Sequence, residues 1–149
     1  MFPAVVKDKI LLVDDQVETR KLLRLALRDL DFTVVEASGA VDALTIMKEQ
    51  KPVVVLLDIV MPGSIDGFEV CEMIKSDPHL KGTYIILISG LNNPNNFYRA
   101  QRVGADGYLV KPFPLSKLID IVKNYQQLQL TSTFVVEGRH PQRTNRATK

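Results

Sequence analysis

Apolar residues along this chain keep two rhythms. In the runs "KILLV" (9–13), "FTVVE" (32–36), "VVVLLD" (53–58), "YIILIS" (84–89) and "GYLV" (107–110) they stand at consecutive positions and are rich in β-branched side chains. That is the pattern of strands covered on both faces, as in a parallel sheet. Between these runs the spacing lengthens to a helical one. Within "QVETRKLLRLALRDL" (16–30), Val17, Leu22, Leu25 and Ala26 share one stripe, and Arg20, Arg24 and Arg28 share another. "GAVDALTIMKEQ" (39–50), "GFEVCEMIKSD" (67–77), "PNNFYRAQRVG" (94–104) and "PLSKLIDIVKNYQQLQ" (114–129) complete five helical segments. Pro94 and Pro114 suit first-turn positions, and Gly104 suits a C-terminal stop. On the last segment Ile121, Tyr125 and Leu128 form a stripe apart from Leu118 and Val122, which core packing largely explains, with a partner surface as the sharper alternative. Five strand–helix pairs on one sheet require right-handed crossovers and helices on both faces. The expected fold is a doubly wound α/β domain, a five-stranded parallel sheet between two helical layers, with the strand order 2-1-3-4-5 common for this size.

In such sheets ligands bind beyond the carboxyl ends of the strands, where the winding direction reverses between strands 1 and 3. The first strand ends on Asp14 and Asp15, the third on Asp58 and the fourth on Ser89, and Lys111 follows the fifth. Adjacent like charges repel, and desolvation adds to the cost of keeping both ionised, so the pair calls for a cation. Mg²⁺ fits best, because it binds through one or two carboxylates, waters and phosphate oxygens; Mn²⁺ is an acceptable substitute. Singly, each residue has an ordinary role: an N-cap for Asp14 or Asp15, a turn for Asp58, a cap for Ser89, a solvated charge for Lys111 and core for Tyr108. Their common register at one sheet edge singles them out.

The strings "LLVDDQ", "LLDIVMPG…DGFE", "LISG" and "GADGYLVKPF", in this order over about residues 8–128, resemble the receiver domain of two-component response regulators, which has a flavodoxin-like, CheY-like fold. The resemblance implies Asp58 as the phosphoryl acceptor. It implies that Asp15 and Asp14 hold Mg²⁺ directly or through water, with the Val60 backbone carbonyl as a further ligand. Ser89 would hydrogen-bond the phosphoryl group, Lys111 would pair with a phosphate oxygen and with Asp58, and Tyr108 would move inward when Ser89 is drawn to the phosphate. The implied function is a signalling switch that accepts a phosphoryl group from a histidine kinase or phosphotransfer protein. Its surface of helix 4, strand 5 and helix 5 would then change to control a downstream protein or to meet a second copy of the chain. No enzyme activity on a separate substrate is expected, only assistance to its own Mg²⁺-dependent phosphorylation and dephosphorylation. The chemistry agrees: a carboxylate is a weak nucleophile meeting an anionic donor, so positioning and charge neutralisation by the cation and Lys111 carry the reaction. Lys111–Pro112 is a candidate cis peptide, a form that lies within roughly 0.5–1 kcal/mol of trans for an X-Pro bond.

The chain departs from the family pattern in its spacer, its hydroxyl residue and its lifetime-tuning positions. Between "MP" and "DG" stands "GSI", three residues where two are usual, which lengthens the loop beyond Asp58. Ser89 replaces the commoner Thr. Val60 and Leu91, at the positions that in the family tune the lifetime of the phosphorylated state, are apolar and are expected to hinder the hydrolytic water.

A length of 149 residues suits one core, since two folded domains would each be marginal. The expected organisation is an N-terminal extension (1–7), the receiver domain (8–129) and a polar, basic tail (130–149) in which "TSTFVV" (131–136) offers a short extra strand or a swapped contact. The net charge of +2 is uneven: residues 131–149 hold Arg139, Arg143, Arg146 and Lys149 against Glu137, which leaves the body at −1. Scattered tail cations make a feeble phosphate footprint, so direct nucleic-acid binding is not expected. No apolar run approaches the roughly 20 residues of a membrane span. "MFPAVVKDK" lacks a signal-peptide pattern, and the lone Cys71 can form no internal disulfide, which together point to the cytoplasm. Cys71, between Val70 and Ile74, reads as a small buried hydrophobe, and His79 and His140 belong to no metal-ligand cluster. The competing class is an aspartate-based phosphatase or phosphotransferase acting on small phosphometabolites. The haloacid-dehalogenase-like enzymes of that class carry a second aspartate two residues past the nucleophile, where this chain has Val60. A receiver-like interaction module that is never phosphorylated is a third option, against which the intact acidic set argues.

Overall fold

The computed structural model describes residues 6–90, 93–128 and 135–137. Strand and helix alternate: β1 (Lys9–Val13), α1 (Val17–Leu27), β2 (Thr33–Ala37), α2 (Ala40–Gln50), β3 (Val54–Asp58), α3 (Gly67–Ser76), β4 (Tyr84–Ser89), α4 (Pro94–Arg102), β5 (Gly107–Val110), α5 (Leu115–Leu128) and β6 (Val135–Glu137). All neighbouring strands are parallel, in the order β2-β1-β3-β4-β5-β6. The first five keep the expected order 2-1-3-4-5. The sixth lies along the outer edge of β5, with Val135, Val136 and Glu137 opposite Gly107, Tyr108 and Leu109. It is the short strand that "TSTFVV" offered, shifted toward the end of that string. Residues 1–5, 129–134 and 138–149, His140 among them, lie outside the described residues, as does Leu91.

Consecutive apolar residues serve opposite faces because side chains alternate across a strand. Leu11, Val13, Val55, Leu57, Ile85, Leu87 and Tyr108 join the core under α2, α3 and α4. Ile10, Leu12, Val54, Leu56, Ile86, Ile88 and Leu109 join the other, under α1 and α5. A one-residue slip of any central strand would exchange the two sets. On α5, Leu118, Ile121, Val122 and Tyr125 are all buried in this second core, which supports the packing explanation of its broad apolar surface.

Helix α1 does not turn the expected stripe inward. Leu23 and Leu27 are buried, whereas Val17, Leu22 and Leu25 are about half exposed. Leucines on both sides left hydropathy unable to choose a face. The arginines decide it, since Arg20 and Arg24 lie over β2 and donate from Nε to Glu36 Oε1 and Oε2, each at 2.7 Å. The helix also ends at Leu27 rather than Leu30, where a turn closes with Leu30 N–H donating to the Leu27 carbonyl at 3.0 Å.

Other boundaries follow their local signals. Asp66 and Glu69 form a reciprocal capping box at the start of α3. Asn93 caps α4, whose first residue is Pro94, and Gly104 follows its end at φ +88°. Pro114 stands immediately before α5 instead of inside its first turn. The Lys111–Pro112 bond is cis. Cys71 is fully buried, and desolvation pushes its thiol up to about 12.

One glycine is fixed by close approach. Gly67 opens α3, its N–H donating to the Ile59 carbonyl at 2.9 Å. A Cβ there would collide with the Asp58 carbonyl oxygen and lie 2.7 Å from Ile59 Cα, both backbone atoms that cannot step aside. Gly67→Ala is expected to lower unfolding free energy in urea by about 1–3 kcal/mol. Gly82→Ala, with nothing within 4 Å of the added carbon, should stay within about 0.5 kcal/mol of wild type. Equal effects at the two positions would contradict the close approach.

Candidate functional site

Every strand of a parallel sheet ends at the same edge, and four of them deliver polar groups there. Beyond β1, Asp14 extends the pairing with β2 by one step, its N–H donating to the Ala37 carbonyl at 3.2 Å. Its Oδ1 accepts the Gln16 N–H at 2.8 Å, which turns the chain into α1. Asp14 is buried and Asp15 is exposed. Asp58, the last residue of β3, is 8% exposed, and its Oδ1 accepts the Val60 N–H at 3.1 Å. Ser89 ends β4 fully buried. Its carbonyl accepts the Lys111 N–H at 2.7 Å, tying the segment after β5 to the same edge.

The Lys111 ammonium bridges two acids, standing 3.3 Å from Asp58 Oδ2 and 3.5 Å from Asp14 Oδ2. Asp14, Asp15 and Asp58 each offer a carboxylate oxygen within 4.8 Å of the others. One ammonium against three carboxylates leaves an acidic surplus. Burial raises the Asp58 carboxyl above its ordinary range, and the Asp14 carboxylate adds to this; Lys111 and the Val60 N–H oppose it without cancelling it. The acids open into a cleft of about 530 Å³ lined by Asp15, Gln16, Asp58, Val60, Met61, Pro62, Gly90 and Lys111.

This donor set suits a hard cation. It is all oxygen, two of its acids are anchored and partly paired, and the exposed Asp15 and open cleft leave room for the waters that Mg²⁺ retains. Asp14, Asp15 and Asp58 are the side chains that would hold it. Val60 lines the cleft as an exposed residue, in keeping with an apolar group over the acids. Tyr108 lies one step back on β5, buried, with its ring edge-on to Phe97 of α4 at a centroid distance of 6.3 Å. The structure thus gathers Asp14, Asp15, Asp58, Ser89 and Lys111 at one edge, with Val60 lining the cleft and Tyr108 two residues before Val110, the β5 partner of Ser89.

Sequence reasoning missed the supports of this edge. Gly67 lets α3 start against the Asp58 backbone, and Arg20 donates from Nη1 to the Asp14 carbonyl at 2.6 Å. An arginine one turn into the helix after the acids, with a glutamate on the next strand, was the only available signal for the second.

Residues 10–123 match the family described as response regulator receiver domain. The probable transcriptional regulator ycf27 of Guillardia theta is 38% identical over 112 residues, 75% of this chain and 42% of that protein. The protein PilG of Pseudomonas aeruginosa is 30% identical over 115 residues, 77% of this chain and 84% of PilG. The chain thus spans about half the length of the ycf27 regulators it matches but most of PilG. Among solved structures, the chemotaxis response regulator CheY4 of Vibrio cholerae has a TM-score of 0.73 at 28% identity, covering 80% of this chain and 98% of that one. The BeF3-activated DrrB receiver domain has a TM-score of 0.74 at 30% identity, covering 82% and 99%. No helix among the described residues is long and apolar enough to cross a membrane. With the matched residues running from β1 into α5 and taking in every strand end of the acidic edge, this chain belongs to the response regulator receiver domain family of two-component signalling.

Proposed function

We propose that this receiver domain is a phosphorylation switch that accepts a phosphoryl group on Asp58 from a phosphohistidine of a histidine kinase or phosphotransfer protein. The observation that carries this reading is the buried Asp58 carboxylate sharing one ammonium, that of Lys111, with Asp14. A nucleophilic carboxylate must meet an anionic donor, and the barrier is mainly charge and alignment. Lys111 supplies one positive group beside the attacking carboxylate, and the Val60 N–H fixes the plane of Asp58. Mg²⁺ held by Asp14, Asp15 and Asp58, with the Val60 carbonyl as a further ligand, would neutralise phosphoryl oxygens during transfer. The domain acts on itself alone, and the apolar Val60 over the cleft slows hydrolysis of the product. The buried lone thiol fits a reducing, cytoplasmic setting.

Readout follows from packing. The Ser89 hydroxyl bonds the new phosphoryl group, and the Tyr108 ring behind it repacks against Phe97, which passes the change to α4. The surface of α4, β5 and α5 then recruits or releases a downstream protein or a second copy of the chain. Strand β6 now forms the margin of that surface, because it occupies the outer edge of β5.

Incubation with acetyl phosphate, followed by intact mass, tests the acceptor. Wild type should gain one base-labile phosphoryl group only when Mg²⁺ is present, Asp58→Asn should gain none, and Lys111→Ala should react roughly 10²-fold more slowly. A labile phosphoryl group on Asp58→Asn would show that another residue is the acceptor.

The same variant has a stability signature. Because burial raises the folded carboxyl above its ordinary value of 3.8, the folded state holds its proton more tightly than the unfolded one. The stability contributed below the unfolded value is lost as pH rises through the folded value, leaving a penalty at neutral pH. Without divalent ions, Asp58→Asn is expected to melt roughly 2–6 °C above wild type at about pH 7. The gap should close as pH falls below the ordinary Asp range, near about 4. A variant that melts no higher than wild type at neutral pH would contradict the buried-charge cost.

A further inference from the structure

The Asp14 carbonyl lies past the end of β1 and before α1, and among the described residues no backbone N–H outside those elements donates to it. Its partner is Arg20, whose Nη1 donates to it at 2.6 Å from a side chain only 14% exposed. The guanidinium is itself held: Nε donates to Glu36 Oε1 at 2.7 Å, and Glu36 Oε2 accepts Arg24 Nε at the same distance. Arg24 Nη2 donates onward to the Val34 carbonyl at 3.3 Å, closing the network on β2. Burial alone would raise the Glu36 carboxyl, but hydrogen bonds and charge from Arg20 and Arg24 leave it below its ordinary value. Asp14 is thereby pinned at its N–H by Ala37, at its carbonyl by Arg20 and at Oδ1 by Gln16 N–H, with Oδ2 directed toward Lys111.

We propose that Arg20, clamped by Glu36, is a positioning residue for the acidic edge, fixing the turn after β1 so that the Asp14 and Asp15 carboxylates face Asp58. Glu36 has a second effect. An unpaired guanidinium this close to three acids would swing onto a carboxylate and compete with a bound cation. Anchoring its Nε to Glu36 holds it on the backbone carbonyl instead. This inference rests on the reading that the edge binds Mg²⁺, and it adds a support that contacts neither the ion nor the phosphoryl group.

Titration calorimetry of the full chain with MgCl₂, alongside thermal melts, separates positioning from plain stability. Arg20→Ala should weaken Mg²⁺ binding roughly tenfold or more, the scale on which partners of metal ligands act. Arg20→Lys keeps the charge but cannot donate from two fixed nitrogens, and it should also bind Mg²⁺ more weakly than wild type. Glu36→Ala should weaken binding in the wild-type background and add little to Arg20→Ala, because the two act as one unit.

The control is Lys75→Met at the opposite edge of the sheet. There Lys75 Nζ donates to the Thr83 carbonyl at 2.6 Å and to Asp106 Oδ2 at 2.8 Å. Its loss should lower the melting temperature and leave Mg²⁺ affinity within about twofold. Wild-type affinity in Arg20→Lys or Arg20→Ala, or an equal loss in Lys75→Met, overturns the inference while Mg²⁺ binding stands. A wild type that takes up no Mg²⁺ overturns both.

Discussion

Carboxylates of Asp14, Asp15 and Asp58 are held with oxygens within 4.8 Å of one another, and their mutual repulsion is the constraint around which the rest of the domain is built. In water such groups would turn apart. Here two of them cannot, because β1 and β3 are adjacent and locked in register from Ile10–Val54 to Val13–Leu57. Lys111 relieves part of the repulsion by standing between Asp14 and Asp58. The remainder persists as an acidic surplus that a divalent cation would relieve, and this links the stability of the fold to the chemistry proposed for its edge.

Holding that arrangement needs a stiff platform. The inner residues of β1, β3 and β4 are almost wholly buried, and their alternation feeds two separate cores, so none of these strands can slide without exposing one set of side chains. The loops are fastened at their roots. Gly67 seats α3 on the Asp58 backbone, Lys111 N–H bonds the Ser89 carbonyl, and the Arg20–Glu36 pair closes the turn after β1. Local rules give way at the acidic edge, where like charges are crowded, and a functional site is expected to break them.

Strand order and the five strand-end residues were readable in the sequence for one reason. Consecutive apolar runs separated by helical periods imply a parallel sheet, and a parallel sheet sends Asp14, Asp15, Asp58, Ser89 and the segment of Lys111 to one edge, whatever their distance along the chain. The face of α1 was not readable, because Leu22 and Leu25 are as apolar as Leu23 and Leu27, and the choice lies with two arginines that meet Glu36 across the fold. Gly67 looked like an ordinary helix start, since its crowding comes from a backbone eight or nine residues upstream. Strand β6 was readable only as an option: three residues in a polar tail carry too little periodicity to specify pairing, and the open edge of β5 that receives them is a property of the sheet.

The central claim is that these acids form one cation-binding unit with Lys111 and Val60 at its rim. Its most direct measurement is a Mg²⁺ titration of nitrogen-labelled protein followed by amide NMR. If the claim holds, the amides of Gln16, Val60 and Lys111 shift together along one saturating curve while those of His79 and Asp106, at the far edge of the sheet, stay still. Shifts absent from these three amides, or saturating at different concentrations for each, would contradict it.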